Sequence, residues 1–250
     1  MKNQNSIFIA VAIVLGLGVN GYFIGSSIER FNKENRYFSV KGFSEKEVKA
    51  NFAVWTIKIK ITTNDILEGS KEIENNKAKI LSFLLENNFK QDEIVQQSLN
   101  VTDKFAREYG DAGNRDFRYI IENSLQVRST NVDNIQKVSR MTDKLLKIGI
   151  IISNEEYNPA VQFLFTNLNG IKPEMLSEAT NNARKAALEF ARQSNVSLGN
   201  IRKASQGVFS IIDRDDYNSG RSEDGGGYAS NNKDIFKKVK VVVNIEYSIK

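Results

Sequence analysis

Residues 53–63 alternate apolar and polar side chains so regularly that they constrain the fold of the whole chain. The apolar members are Trp55, Ile57, Ile59 and Ile61, and the polar members are Thr56, Lys58, Lys60 and Thr62. Because successive side chains of a β-strand point to opposite faces of the sheet, this pattern predicts a strand with one buried and one hydrated face. Trp55 is therefore expected in the core or at an interface rather than in a ligand site.

Other periodic segments predict that strands and helices are mixed along the chain. Strands are expected at residues 37–42, 94–105, 117–129, 150–153, 160–168, 201–212 and 236–249, and helices at residues 65–88, 132–148 and from Pro173 onward. Asp65 or Asn64 would cap the first helix, and Gly149 would end the second. The third helix carries a stripe of small residues, so another element is expected to pack unusually close to it. The stripe includes Ala179, Ala183, Ala186, Ala187 and Ala191.

An uncharged apolar run occupies residues 7–25. It approaches the roughly 20 residues that a membrane-spanning helix needs and exceeds the about 7 to 15 of a signal-peptide core. We therefore expect an uncleaved signal anchor, a single-pass transmembrane helix within residues 1–28, followed by a stalk at residues 29–36 and a folded body at residues 37–250. A cleaved signal with a secreted body is the alternative, whereas a buried helix is disfavoured because the run has no polar face.

The composition excludes several classes of chemistry. The 250 residues include no histidine and no cysteine, which rules out histidine-dependent triads, imidazole or thiolate metal sites and disulfides. The net charge of +5 arises from interspersed acidic and basic residues, so nucleic acid is not an expected partner. No serine lies in a nucleophile-elbow sequence either.

A long polar segment, residues 213–234, separates the last two predicted strands and is expected to be a flexible loop or to be ordered by a neighbour. Asp213, Asp215, Asp216 and Asn218 suggest a calcium loop, but the glycine and glutamate that such a loop requires at its sixth and twelfth positions are missing. The glycines at 225–227 are not followed by the Lys-Ser or Lys-Thr pair of a phosphate-binding loop. The segment is therefore interpreted as a solvated acidic loop.

Two clusters of charged residues are further candidates. Glu45 and Glu47 flank Lys46 near an expected turn and are considered as a general acid and base, although surface charge is the commoner reason for such a cluster. Lysines on the last strand are typical of a protected sheet edge. They are Lys237, Lys238 and Lys240. No catalytic, cofactor-binding or metal-binding residue is assigned, and the chain is expected not to be an enzyme.

Three stretches together resemble the SIMPL-domain family, whose exported bacterial members include a periplasmic immunogenic protein. Residues 38–60 combine a short strand, a glutamate-rich turn and a long alternating strand. Residues 179–201 are similar to the family's alanine-rich helix and the Leu-Gly pair after it, and residues 237–249 (KKVKVVVNIEYSI) to its closing strand. Ala50 and Asn51 depart from the pattern, since many members have Pro-Asp there, which bears on the local turn and not on the fold.

The resemblance implies an α+β body with antiparallel sheets and ferredoxin-like βαβ subdomains. It also implies ring-like or channel-like self-assembly, which at least one relative shows, and a link with envelope or oxidative stress defence. No catalytic residue or cofactor comes with the family. Because its bacterial members are exported, the body is expected to be extracytoplasmic, that is periplasmic, although the positive-inside rule applied to the basic residues after the apolar run would place it in the cytoplasm.

These observations favour a membrane-anchored, extracytoplasmic, non-enzymatic protein that assembles into homo-oligomers. The alternative is a binding module for an envelope polymer or a partner protein, with residues 213–234 as the contact element. A hydrolase that uses Glu45 and Glu47 is the third hypothesis, and no paired, suitably spaced acids stand out in the sequence to support it. The sequence points to no particular small-molecule ligand.

Overall fold

The computed structural model describes residues 15–18, 20–23, 25, 36–97, 99–106, 116–153, 160–215 and 232–249. The strands are β1 (Tyr37–Lys49), β2 (Phe52–Thr63), β3 (Ile94–Gln96), β4 (Asn100–Asp103), β5 (Tyr119–Ser129), β6 (Val161–Leu164), β7 (Leu198–Gln206), β8 (Ser210–Asp213) and β9 (Phe236–Ile249). The helices are α1 (Ile66–Glu86), α2 (Val132–Ser139), α3 (Thr142–Lys147) and α4 (Leu168–Gln193).

The chain divides into two compact units. The first unit comprises Met1–Glu45, Lys172–Phe209 and Lys240–Lys250, and the second comprises Lys46–Ile171 and Ser210–Val239. One sheet has the strand order β1-β9-β7, with β8 also paired to β9, and the other has the order β3-β5-β2-β6, with β4 also paired to β5. The predicted α+β class with antiparallel sheets is confirmed.

The second unit contains two interlocked split β-α-β motifs. β2 and β3 are each antiparallel to β5, so they run parallel to each other, and α1 connects them. β5 and β6 are each antiparallel to β2, so they also run parallel, and α2 and α3 connect them. This order of strands and crossovers is that of a ferredoxin-like fold, which the family resemblance implies.

The alternating pattern of β2 positions the core of the second unit. Trp55, Ile57 and Ile59 are at most 2% exposed, and the partners of the first two on β5, Val127 and Leu125, are also buried. Helix α1 packs on the core with the buried apolar side chains Ile73, Ile80, Phe83 and Leu84. The prediction of one buried and one hydrated face is confirmed, and Trp55 is a core residue.

Capping residues set the ends of α1. The Oδ1 atom of Asp65 accepts hydrogen bonds from the N–H groups of Leu67 at 2.8 Å and Glu68 at 3.2 Å, which satisfies two donors of the first turn. At the other end, the N–H group of Asn87 donates to the carbonyl of Leu84 at 3.1 Å. The helix predicted at residues 65–88 is confirmed to within two residues at each end.

The single helix predicted at residues 132–148 is wrong, because two helices occupy this segment. At their junction the N–H group of Met141 bonds to the carbonyl of Val138 at 2.9 Å, and such an i to i−3 bond tightens the chain and interrupts the α-helix. The apolar stripe continues across the break, since Val138 and Leu145 are both buried. Gly149, with φ of 82°, follows α3 in the left-handed conformation expected of a helix stop.

The start predicted for the third helix is also wrong, because α4 begins at Leu168 and Pro173 lies inside it. An N–H group at position 173 would bond to the carbonyl of Asn169. That carbonyl belongs to the first turn, so the proline removes one hydrogen bond near the helix start and the helix continues.

Two predicted strands are each divided in the structure. The strand at residues 94–105 becomes β3 and β4, and the register against β5 shifts by one residue between them, as in a β-bulge. The strand at residues 201–212 becomes β7 and β8, and between them the N–H group of Gly207 bonds to Val242 at 2.8 Å. Residues 150–153 contribute only an isolated bridge between Ile152 and Ile59.

β1 is longer than predicted, since it continues to Lys49 instead of turning after Gly42. Its inward-facing residues include Ser44, which is 1% exposed. The Ser44 hydroxyl donates a 2.6 Å hydrogen bond to the carboxylate of Glu178 on α4, and this bond makes its burial tolerable. Because a buried serine interrupts the hydrophobic alternation, the sequence pattern indicates a turn where the strand in fact continues.

Helix α4 approaches β1 very closely in the first unit. Its buried residues recur at intervals of four, and all but the first are alanines: Met175, Ala179, Ala183, Ala187 and Ala191. A Cβ atom at Gly42 would lie 2.1 Å from the carbonyl oxygen of Ala179 and 2.8 Å from Cβ of Ala183. The close packing that the small-residue stripe predicts is confirmed.

Only part of the apolar run at residues 7–25 is among the described residues. Residues 15–18, 20–23 and 25 are helical and exposed, and the remainder of the predicted anchor at 1–28, like residues 29–35 of the stalk, lies outside the description. Within the described part of the chain, no helix combines the length and apolar character needed to cross a membrane.

Arg118 joins the start of β5 to the end of β4. Its Nη2 and Nε atoms lie 2.9 Å and 3.2 Å from Oδ2 of Asp103, and its guanidinium lies 4.9 Å from the centroid of the Tyr119 ring. The hydrogen bond from Arg118 holds the pKa of Asp103 below its ordinary value, and the same bond raises the pKa of Arg118.

This ion pair predicts an acid-dependent part of the stability. Because the pKa of Asp103 is lowered by folding, its contribution is present above the ordinary aspartate pKa and is lost as the pH falls through the lowered value. We expect Asp103→Asn to flatten the dependence of unfolding free energy on pH below about pH 4, as measured by urea unfolding. Asp143→Asn is the control, because the Asp143 carboxylate lies 3.9 Å from Nζ of Lys147 in a looser ion pair. If the unfolding free energy changed with pH equally steeply in the two variants, the prediction would be contradicted.

Candidate interaction surface

Strand β7 is an exposed edge of the first unit. It runs antiparallel to β9, and among the described residues β9 is its only partner strand. Every residue from 200 to 208 is exposed, whichever face of the sheet it belongs to. A strand in this position presents unpaired backbone N–H and C=O groups that another strand can pair with. We call residues 200–208 the β7 edge.

The β7 edge carries apolar side chains that are open to solvent. Ile201 is 53% exposed and Val208 is 91% exposed. Elsewhere in the first unit, α4 and β1 expose further large apolar side chains, namely Leu188, Phe190, Tyr37 and Phe43. Scattered apolar residues are normal on a protein surface, but apolar residues on an open backbone edge fit a surface that pairs with a partner.

The β7 edge is irregular rather than flat. Its register against β9 shifts twice, between Leu198 and Ile201 and between Ile201 and Lys203. Bulges and charged side chains on an edge strand oppose indiscriminate pairing. The β7 edge carries two adjacent charged residues, Arg202 and Lys203. The guanidinium of Arg202 lies 5.1 Å from the centroid of the Tyr37 ring, which holds this cation over β1. Pairing at the β7 edge therefore requires a partner of matching shape.

Glu45 lies within β1 and not near a turn. Its carboxylate is 3.2 Å from Nζ of Lys240, and the same ammonium lies 5.9 Å from the centroid of the exposed Phe43 ring. Phe43 is 58% exposed, so this group is a surface cluster with an aromatic ring at its centre.

Glu47 also lies within β1, and it contributes weakly to the electrostatic environment of Arg214. The pKa of Arg214 is raised, chiefly by its hydrogen bond to Asp215, with smaller contributions from Asp234 and Glu47. Glu45 is the glutamate of the two for which an ion pair is described, with Lys240.

Lys237 does not protect a sheet edge, because its side chain is fully buried. Its ammonium group donates to Oδ1 of Asp213 and lies 3.3 Å from Oδ1 of Asn232. The second oxygen of Asp213 accepts a 2.9 Å hydrogen bond from the N–H group of Lys233. A buried lysine is tolerated only when it is paired and hydrogen-bonded in this way.

The edge-protecting role predicted for Lys238 and Lys240 is wrong for a different reason. β9 is a central strand that lies between β1 and β7, so these lysines flank no open edge. The alternation of lysine and valine along β9 indicates a strand, but it does not tell a central strand from an edge strand.

The two ends of the predicted loop at residues 213–234 are held in the second unit. Arg214 donates its N–H group to the carbonyl of Phe236 at 3.1 Å, and the carbonyl of Asn232 accepts from Phe163 on β6 at 2.8 Å. Asp213 and Lys237 link the same two ends by their side chains. Asp216, Asn218 and the glycines at 225–227 lie outside the described residues. In the described ranges, no group of three or more acidic side chains is placed to hold a metal ion.

Comparison with known protein families identifies a match that covers most of the chain. A family model named SIMPL, described as a protein of unknown function (DUF541), matches residues 38–247. This range includes all three stretches on which the resemblance rests, apart from the last two residues of the closing strand. No curated protein matches the sequence.

Proposed function

Because the chain belongs to the SIMPL family, we propose that this protein is anchored in a membrane and carries an extracytoplasmic body that acts by self-association rather than by catalysis. The physiological role in this proposal is defence of the cell envelope against stress, including oxidative stress, as the family resemblance implies. In this proposal, the partner that pairs with the β7 edge is a second copy of the same chain.

The observation that carries the proposal is the exposure of the β7 edge. A strand whose side chains are open on both faces gains burial and backbone hydrogen bonds when a strand of another molecule adds to the sheet. Fully burying an isoleucine stabilises a contact by about 1.5–3 kcal/mol, and Ile201 lies near the start of this edge, within β7. Closed rings and symmetric dimers use every copy of such an edge, which limits open-ended aggregation.

The apolar run supports the membrane anchor. The described residues of the run are helical, and their large side chains are exposed: Leu15, Leu17, Tyr22 and Phe23. Exposed apolar groups on a helix are unfavourable in water and favourable in lipid. The whole run from residue 7 to residue 25 contains no charged residue, which lowers the cost of placing it in a bilayer.

The absence of histidine and cysteine supports a role without catalysis. Glu45, one of the two glutamates considered as a general acid and base, lies 3.2 Å from Nζ of Lys240. Asp213 is held by the buried Lys237. Both ion pairs give these carboxylates a structural role, since one links β1 to β9 and the other links the two ends of the segment at residues 213–234.

We expect the full chain to sediment with membranes after an alkaline wash, with its body accessible to protease only from the extracytoplasmic side. After extraction in detergent, light scattering should give a protein mass that is a multiple of 28.2 kDa. Ile201→Lys should weaken association at least about tenfold, because it removes apolar burial worth more than about 1.4 kcal/mol and adds a charge at the contact.

Leu146→Lys is the matched control, since Leu146 on α3 is 59% exposed and Ile201 is 53% exposed. This control should leave the oligomeric state unchanged. A full chain that is monomeric at every concentration would overturn self-association and favour the alternative of a binding module that uses residues 213–234. Recovery of the chain in the soluble fraction, or protection of its body from external protease, would overturn the membrane arrangement.

A further inference from the structure

One end of the first unit brings together the start of β1, the end of β9 and the start of β7. The N–H group of Ile249, the last residue of β9, donates to the carbonyl of Arg36 at 3.2 Å, directly before β1 begins. Leu198, the first residue of β7, is the register partner of the same Ile249. β1 and β7 therefore begin where β9 ends.

Helix α4 ends at the same place, because it runs antiparallel to β1. Ser44, in the later part of β1, bonds to Glu178 in the earlier part of α4 at 2.6 Å. At the start of β1, the ring centroid of Phe38 lies 6.2 Å from that of Phe190, near the end of the helix. We call this part of the first unit the entry end, since the chain enters β1 here. It comprises residues 36–38, 188–194, 198–199 and 247–249.

The entry end exposes large apolar side chains around the last turns of α4. Tyr37 on β1 is 48% exposed, and Leu188 and Phe190 on α4 are 49% and 54% exposed. Residues two apart on an α-helix are separated by about 200° around its axis, so Leu188 and Phe190 lie on opposite flanks of the helix. The apolar groups therefore surround the end of α4, and they do not form one stripe that a single neighbouring helix or strand would cover.

The covalent chain keeps the entry end close to the proposed membrane anchor. Residues 26–36 separate the apolar run at residues 7–25 from Tyr37, and such a segment spans at most about 40 Å when fully extended. The rest of β1 lies farther along the chain, because a strand rises by about 3.3 Å for each residue. With the apolar run in a bilayer, the entry end is the part of the first unit that the chain holds nearest to that bilayer.

We propose that the entry end lies against the surface of the same bilayer, with Tyr37, Leu188 and Phe190 inserted among the lipid headgroups. This inference rests on the membrane anchor proposed above. Aromatic rings are favoured in the interfacial region, where the hydroxyl of a tyrosine stays hydrated while its ring is buried. Apolar side chains of a peripheral surface are buried to a depth of about 5–10 Å there, and fluid lipid accommodates apolar groups on both flanks of a helix.

Contact with the bilayer has a consequence for self-association. It holds the first unit of every copy in one orientation, so the β7 edges of neighbouring copies lie at the same height above the membrane. Pairing between these copies then loses less rotational freedom than pairing between molecules in solution.

Lipid contact can be measured with one reporter at a time, because the chain contains no cysteine. Ser194→Cys carries a fluorescent reporter at the entry end, and Ser177→Cys carries the control reporter on α4. Both serines are exposed, and about 25 Å of helix separates them. The full chain is reconstituted in phosphatidylcholine vesicles that contain a nitroxide-labelled lipid, which quenches a reporter in contact with the bilayer. We expect quenching at position 194 to exceed that at position 177 at least about threefold.

Phe190→Asp should reduce the quenching at position 194 at least about twofold, because a carboxylate stays in water where a phenyl ring enters the bilayer. Phe43→Asp is the matched control, since Phe43 is 58% exposed in the same unit and lies on β1 beyond the entry end. This control should leave the quenching at position 194 unchanged.

Flotation of the vesicles separates this inference from the proposed anchor. A chain that does not float with the vesicles would overturn both. A chain that floats but shows equal quenching at positions 194 and 177, or quenching at position 194 that Phe190→Asp leaves unchanged, would overturn the bilayer contact alone. Blue-shifted emission at position 194 without quenching by the lipid would overturn it as well, since a second copy would then cover the entry end.

Discussion

Lys237→Met is expected to lower the free energy of unfolding by about 3–5 kcal/mol, the cost of leaving one buried charge without its partner. The side chain of Lys237 is fully buried, and Asp213 is 7% exposed. Methionine fills nearly the same volume as lysine, so the loss arises from the carboxylate and not from a cavity. Urea unfolding followed by the fluorescence of Trp55 measures the effect, since Trp55 is the single tryptophan and lies in the core of the same unit.

A double-mutant cycle separates the ion pair from other effects of the substitution. Asp213→Asn combined with Lys237→Met should cost less than the sum of the two single variants, because neither charge is then left alone. Lys238→Met is the control and should change stability by no more than about 0.5 kcal/mol. A loss below about 1 kcal/mol for Lys237→Met would show that the buried pair contributes little.

Gly42→Ala is expected to destabilise the first unit by about 3 kcal/mol, at the upper end of the range for overpacked sites. The added methyl group would lie 2.1 Å from the carbonyl oxygen of Ala179 and 2.5 Å from the backbone nitrogen of Ala183. Both are backbone atoms of α4, so a change of rotamer cannot relieve the contact and the helix must move away from β1. Thermal unfolding followed by circular dichroism measures the loss.

Lys41→Ala on the exposed side of β1 is the control for Gly42→Ala. It removes a long side chain next to the same position without entering the space between the strand and the helix. Its expected effect is within about 0.5 kcal/mol. If Gly42→Ala were as mild as this control, α4 could shift at little cost, and the small-residue stripe would not be required for packing.

The sequence predicts best those elements whose pattern depends on local alternation. β9 has the predicted limits, residues 236–249, because an apolar or aromatic residue stands at every second position from Val239 to Tyr247. β2 is predicted to within one residue for the same reason. The start of α1 is predicted because Asp65 acts within its own turn, on the N–H groups of Leu67 and Glu68.

The errors arise where a distant residue decides the outcome. Ser44 belongs to the buried side of β1 only because Glu178 accepts its hydrogen bond, and these residues are 134 positions apart. Lys237 is buried only because Asp213 lies opposite it, 24 positions away. In a local pattern both residues are polar, so the sequence predicts a turn at Ser44 and a solvated lysine at position 237.

The candidate surfaces depend on tertiary structure in the same way. Ile201 belongs to a strand that is recognisable in the sequence, but its exposure follows from the place of β7 at the end of the order β1-β9-β7. The row formed by Asn100, Glu122 and Lys60 likewise needs the register of three strands, β4, β5 and β2. Sheet order and register are set by pairing between distant segments, which no short window of sequence contains.

The ion pair between Asp213 and Lys237 fixes the two ends of the segment that lies between them. The stability of the second unit therefore depends little on the sequence in the middle of that segment. Once both ends of a loop are fixed, the entropy of closing it rises only with the logarithm of its length, by about 0.6 kcal/mol for each doubling. Insertions, deletions and changes of composition between residues 215 and 232 are therefore expected to be nearly neutral for the fold. In evolution and in engineering, this interval is a place where the chain can acquire a new sequence while the second unit keeps its core.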